Sequence, residues 1–231
     1  MNTFYLKFGF AVSIMLAFAP LANGHVGGSI VGDGGHAVVC RTSKNTETAV
    51  IADFFEAEQL YGYLGEPSQV LSQRLEDALE QALSSSNAAL GEDHGFSALV
   101  RDAKLLADES KTIFLSDRLS RTPDLGSFYA VLGPRCGLEQ AAVFTEAGDR
   151  FFLRVNAKIW SQLSNLNRAG LLIHEALHLW FPKSKNNAAL RQAVSYLFAP
   201  QQFRTVNASA FRRLIESRQR VEFSVTERWS R

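Results

Sequence analysis

Neither sign of charge dominates this chain. Lys and Arg number 24 against 23 for Asp and Glu over 231 residues, so no strong field exists to gather nucleic acid or an anionic membrane, and neither is expected as a partner. Cysteine is nearly absent. Its two residues, Cys40 and Cys136, lie neither in a CxxC pair nor beside a histidine that would activate them, which argues against thiol catalysis. No apolar stretch after the N-terminal segment is long enough to span a bilayer. Internal repeats, low-complexity linkers and the GxxxxGK[ST] phosphate loop are also missing. With 46% hydrophobic and 20% charged residues, disordered and collagen-like classes drop out, leaving a globular protein long enough for one sizeable core or two small ones.

The first residues read as an export signal. Lys7 is the only charge before residue 25, Phe8 to Ala19 is apolar, and Pro20 to Gly24 offers small residues for cleavage. The apolar run is shorter than the ~20 residues a spanning helix needs. Residues 1–24 are therefore expected to be removed after Gly24, leaving residues 25–231 as a single periplasmic or secreted domain with no stable membrane insertion. Loss of Lys7 leaves 23 basic and 23 acidic residues, a formally neutral chain. In an oxidising compartment an even pair of cysteines is expected to be bridged, Cys40 to Cys136, with two buried free thiols as the alternative.

A Gly-rich lead-in, residues 25–35, carries too much glycine for a helix or regular strand. Ala37–Cys40 reads as a short strand and Thr46–Tyr63 as a helix with Val50, Phe54, Ala57 and Tyr61 on one face. Ser68–Leu83 and Phe96–Ala107 read as further helices. Thr112–Ser116, Ala141–Thr145 and Arg150–Val155 are β-type runs, the last two forming a hairpin. Helical spacing returns from Ala157, with breaks near Pro182 and Pro200, and continues to about Arg220. The expected fold class is α+β, mainly helical with a small antiparallel sheet.

Within one uninterrupted helical stretch stands His174-Glu175-Ala176-Leu177-His178, an HExxH motif. Four-residue spacing puts both imidazoles on one helix face, able to grip a single zinc ion. Glu175, turned about 100° around the axis, can reach water at that ion and act as general base and acid. The helix is apolar nearly all round from Ala169 to Phe181, so it should be buried, where titratable groups need a strong partner. A metal-free buried hydrogen-bond network is the bland alternative.

A catalytic zinc usually has three protein ligands. Phe181 and Ser184 stand where a metzincin would carry Gly and His or Asp, which excludes that subclass. After His178 there is no His and no Asp, leaving Glu216, Glu222 and Glu227 as the downstream acids. Glu216 is the chosen third ligand because it falls in the helical segment Ala208–Arg220, while a solvated glutamate among arginines is its alternative reading. His36 and His94 are upstream substitutes. Arg191 and Tyr196 are the residue types available to steady an oxyanion or substrate carboxylate, or they simply pair and pack. Arg204 to Arg231 is arginine-rich, read as a solvated face before a polyanion surface.

The pieces Gly27–Gly35, Val38-Val39-Cys40 and His174–His178 resemble those of uncharacterised exported bacterial proteins with a Gly-rich GGxGG element, a VVC strand and a zincin-like HExxH helix. That resemblance implies metal ligation by His174 and His178 and a general-base role for Glu175. In zinc peptidases of this type an edge strand one helix upstream binds extended substrate by β-augmentation; Phe151–Val155 stands at that place, with a plain core strand as the alternative reading. The expectation is an exported zinc peptidase acting on peptides or proteins, with a catalytically silent metal-binding module of the cell envelope as the rival. Asp33 and His36 also put metal-capable side chains beside the Gly-rich lead-in, which could cover the site before activation.

Overall fold

The computed structural model describes residues 29–30, 34–43, 46–62, 74–90, 96–108, 112–116, 119, 128–147, 150–181 and 187–199. Strands β1 (Ser29–Ile30), β2 (His36–Arg41) and β3 (Glu47–Ile51) lead into helices α1 (Ala52–Tyr61), α2 (Leu75–Leu90) and α3 (Phe96–Ala107). Strands β4 (Thr112–Leu115), β5 (Cys136–Gln140), β6 (Ala142–Ala147) and β7 (Arg150–Asn156) follow, then α4 (Ala157–Gln162), α5 (Asn165–Trp180) and α6 (Asn187–Phe198). The class is α+β, as the sequence pattern indicates. The strands form two sheets instead of one: an antiparallel β3-β2-β5 and a mixed β1-β6-β7-β4, in which β4 runs parallel to β7.

The clearest departure from the sequence reading is at Thr46–Tyr63, where β3 precedes α1. Val50 and Phe54 are four apart, which mimics one helix face. Pairing of Glu47–Ile51 with Arg41–Ala37 of β2 overrides that spacing, and the β-branched Thr48, Val50 and Ile51 suit the pleat. Strand β5 had no strong pattern of its own. It exists because β2 offers it a ladder from His36↔Gln140 to Cys40↔Cys136, and the Cys40–Cys136 disulfide closes that pair. Helix α2 runs on to Leu90, past the expected end at Leu83, since Ala82 and Ser85 carry its buried face onward. In the lead-in, Ser29–Ile30 pairs with β6 despite the surrounding glycine. Strand β7 is not an edge: β6 lies on one side and β4 on the other. The proposed terminal helix, with Glu216, lies outside the described residues.

Helix α5 is the centre of the core, buried from Leu166 almost to its end against α3, α2, α6 and β6. Ser164 starts it, its hydroxyl accepting from the Asn167 amide at 3.2 Å. The fully buried Asn167 side chain then accepts from Ile51 N at 2.7 Å, so one residue fixes the entry of α5 to the junction of β3 and α1. At Gly170 a Cβ would stand 2.5 Å from Ile51 Cδ1 and 2.8 Å from Phe54 Cζ. The glycine is a packing requirement that brings α1 hard against α5 one turn before the motif.

Candidate metal centre

That close approach delivers Asp53, in the first turn of α1, to His174. Asp53 Oδ1 and His174 Nδ1 are 2.8 Å apart with both side chains buried. Ser195 Oγ of α6 reaches the Asp53 carbonyl at 2.7 Å, holding the helix turn from behind. With Nδ1 engaged by a carboxylate, His174 presents Nε2 to its neighbour on the same face, and the Nε2 atoms of His174 and His178 stand 3.1 Å apart. Two ring nitrogens bound tetrahedrally to one zinc would be about 3.3 Å apart for bonds of about 2.0 to 2.1 Å. A small adjustment of the rings therefore suffices, and the pair fits such an ion.

Glu175 lies on the neighbouring face. Its Oε1 accepts the Gly35 N–H at 2.5 Å, and its Oε2, fully buried, has no hydrogen-bond partner among the described residues. The Oδ2 of Asp53 is in the same condition. Unpartnered buried carboxylate oxygens are costly in a dry interior.

The protonation pattern follows from the same geometry. Burial pushes the Glu175 carboxyl up to about 7, against the opposing pull of His174 and the Gly35 N–H. Burial disfavours a charged His174, yet the charge of Asp53 and its hydrogen bond, with help from Glu175, more than offset this and raise its pKa. His178 is driven well below the usual histidine value by burial, then by the charges of His174 and His36. Without an ion, these opposite shifts favour a proton on His174 over a second one on His178.

The sequence-derived residues thus divide. His174, Glu175 and His178 are brought together, with exposures of 2%, 0% and 5%. His36, the buried first residue of β2, comes near enough to influence His178. Among the described residues no third His, Cys, Asp or Glu completes a three-ligand cluster. Glu216, Glu222, Glu227 and His94 lie outside the described residues. Arg191 is committed to structure, its Nε donating to buried Glu56 at 2.6 Å, and Tyr196 packs in the core.

Asp53 and Gly35 escaped the sequence reading. An acid in the apolar run Val50–Phe55 was the available signal for Asp53, but nothing in the spacing ties residue 53 to residue 174. A cleft of about 180 Å³ between α1 and α6, lined by Asp53, Glu56, Tyr129, Arg191 and Ser195 among others, lies behind the Asp53–His174 pair. Comparison with protein-family models, curated proteins and solved structures finds no match for this chain.

Proposed function

We propose that this chain is an exported zinc-dependent peptidase, zincin-like in its active helix, with the ion held by His174 and His178 and Glu175 as the acid–base group. The observation that carries the reading is the approach of the two Nε2 atoms to 3.1 Å on one helix face, with Asp53 fixing the ring of His174 and a buried, unpartnered Oε2 on the adjacent Glu175. A zinc ion bound there would supply a Lewis acid that acidifies water and polarises a scissile carbonyl. Glu175 takes a proton from the attacking water at Oε2 and returns it to the leaving amine, while Gly35 steadies Oε1. Asp53 keeps Nδ1 of His174 engaged so that Nε2 points at the ion. The third ligand is to be sought among Glu216, Glu222 and Glu227, which lie outside the described residues.

One observation favours the rival, a catalytically silent metal-binding module of the envelope. The motif side chains are almost wholly buried and lack a third ligand among the described residues. Export accords with the disulfide, and no helix among the described residues is long and apolar enough to cross a membrane.

Metal analysis of the purified protein and of Glu175→Gln, each then assayed on a generic peptide library, separates the readings. The peptidase requires stoichiometric zinc in both and cleavage only by the wild type. Zinc in both with cleavage by neither establishes the silent module, and absence of bound zinc from the wild type ends both.

A further inference from the structure

Strand β7, one helix upstream of α5, has neighbours on both sides, and its neighbour β6 packs against α5. Among the described residues, the far side of β6 is paired only with Ser29–Ile30, antiparallel, opposite Glu146 and Thr145. Where β6 begins, the N–H groups of Ala141 and Ala142 both donate to Gly35 O, at 2.9 and 3.1 Å. The N–H of that same Gly35 donates to Glu175. Gly34 adopts φ +63°, and a Cβ there would lie 2.2 Å from Ala142 O, while one on Gly35 would lie 2.2 Å from Leu171 Cδ1 and 2.9 Å from Glu175 Oε1. Only glycine backbone can lie this close to the base, so Gly34 and Gly35 are fitted to the space between β6 and α5.

We infer that the chain inhibits itself: the β6 edge and the approach to Glu175, which an extended peptide would need, are filled by its own N-terminal backbone at Ser29–Ile30 and Gly34–Gly35. This rests on the hydrolytic reading above and adds its regulation. The burial of His174, Glu175 and His178 is the expected signature, since no peptide reaches a carboxylate of zero exposure. The hold is also breakable. A two-residue ladder at a sheet edge belongs to the least stable part of a fold and opens locally without global unfolding. Gly34, with its left-handed backbone, is the pivot between the edge-bound residues and β2. Opening leaves β6 with free N–H and C=O groups, the template that an extended peptide recognises.

The test uses two variants of the full chain. Ile30→Pro removes a backbone donor and disfavours strand pairing at β1. Ser29→Cys with Glu146→Cys, on residues whose Cα atoms are partners across the ladder, locks it when oxidised. The readouts are the rate of diethyl pyrocarbonate modification of His174 and His178, mapped by mass spectrometry, and hydrogen exchange over Phe144–Glu146. Self-occupancy requires Ile30→Pro to speed both by about fivefold or more and the oxidised lock to slow both. Wild-type rates in both variants overturn it. Peptide cleavage is measured in parallel: cleavage rising in Ile30→Pro and falling in the lock supports the whole proposal. Altered access with no cleavage by any form removes the hydrolytic reading and leaves self-occupancy as a control on entry to the metal site.

Discussion

Asp53 need touch no substrate, yet it determines which ring nitrogen of His174 faces the site. With an ion on His174, the Asp53 carboxylate would be the outer partner that orients the imidazole, a contact whose loss typically weakens metal binding by about 10- to 100-fold. Asp53→Asn, isosteric and able to keep one hydrogen bond to Nδ1, is expected to fold and to lose zinc affinity in that range by competition titration. Affinity equal to wild type would show that His174 needs no such partner. Glu175 makes a second prediction, about the metal-free protein. Its folded pKa is raised to about 7, so between about 4.5 and 7 the folded state holds a proton that the unfolded chain releases. Its contribution to stability is therefore full below about 4.5 and is lost as pH rises through 7. Glu175→Gln deletes that dependence and leaves the opposing one of His178, whose lowered pKa costs stability as pH falls. In urea unfolding of the metal-free proteins, the variant should exceed the wild type in stability near pH 8 and lose that lead near pH 5. Parallel pH profiles would contradict the assignment of a protonated Glu175.

Among the elements, α1 and α5 carry the arrangement, and their separation is set at Gly170. Adding one methyl there forces a carbon to within 2.5 Å of Ile51 Cδ1 and 2.8 Å of Phe54 Cζ. The helix gains up to about 1 kcal/mol from alanine's propensity, but overpacking costs typically about 1 to 3 kcal/mol. Packing wins, and Gly170→Ala should lower stability by about 1 to 2 kcal/mol. Because α1 bears Asp53, zinc affinity should fall as well, although residue 170 is a full turn from His174. A variant as stable as wild type with unaltered affinity would mean that α1 and α5 slide apart freely. Helix α5 itself was legible in the sequence, with its motif, from apolar residues on almost every face. Strand β3 was not, because Val50 and Phe54 suit a helix as well as a strand followed by a helix, and only the presence of β2 alongside decides between them.

For the whole molecule, the disulfide joins β2 to β5 across 96 residues of chain that include α1, α2, α3 and β4. In the chain-entropy account, a cross-link closing a loop of that length stabilises by about 4 to 5 kcal/mol. For a domain whose total stability is of order 5 to 15 kcal/mol, replacing both cysteines by serine should therefore bring the protein near its folding threshold, read as a large fall in the urea midpoint. A midpoint shift worth less than about 1 kcal/mol would mean that the strand pairing alone holds this junction.

Sequence alone determined what depends on neighbours along one helix or on composition. The HExxH spacing placed two imidazoles on one face, the apolar surround buried them, and an even pair of cysteines pointed to a bridge. Each is a local or statistical consequence of covalent order. The tertiary structure alone decided which acid supports His174, which backbone group caps Glu175 and which strands flank β7. Asp53 and Gly35 lie more than a hundred residues from the motif, and no periodicity relates them to it. They arrive because Asn167 and Gly170 bring α1 against α5, and because Gly35 leaves β2 at the one point where glycine alone fits between β6 and Glu175.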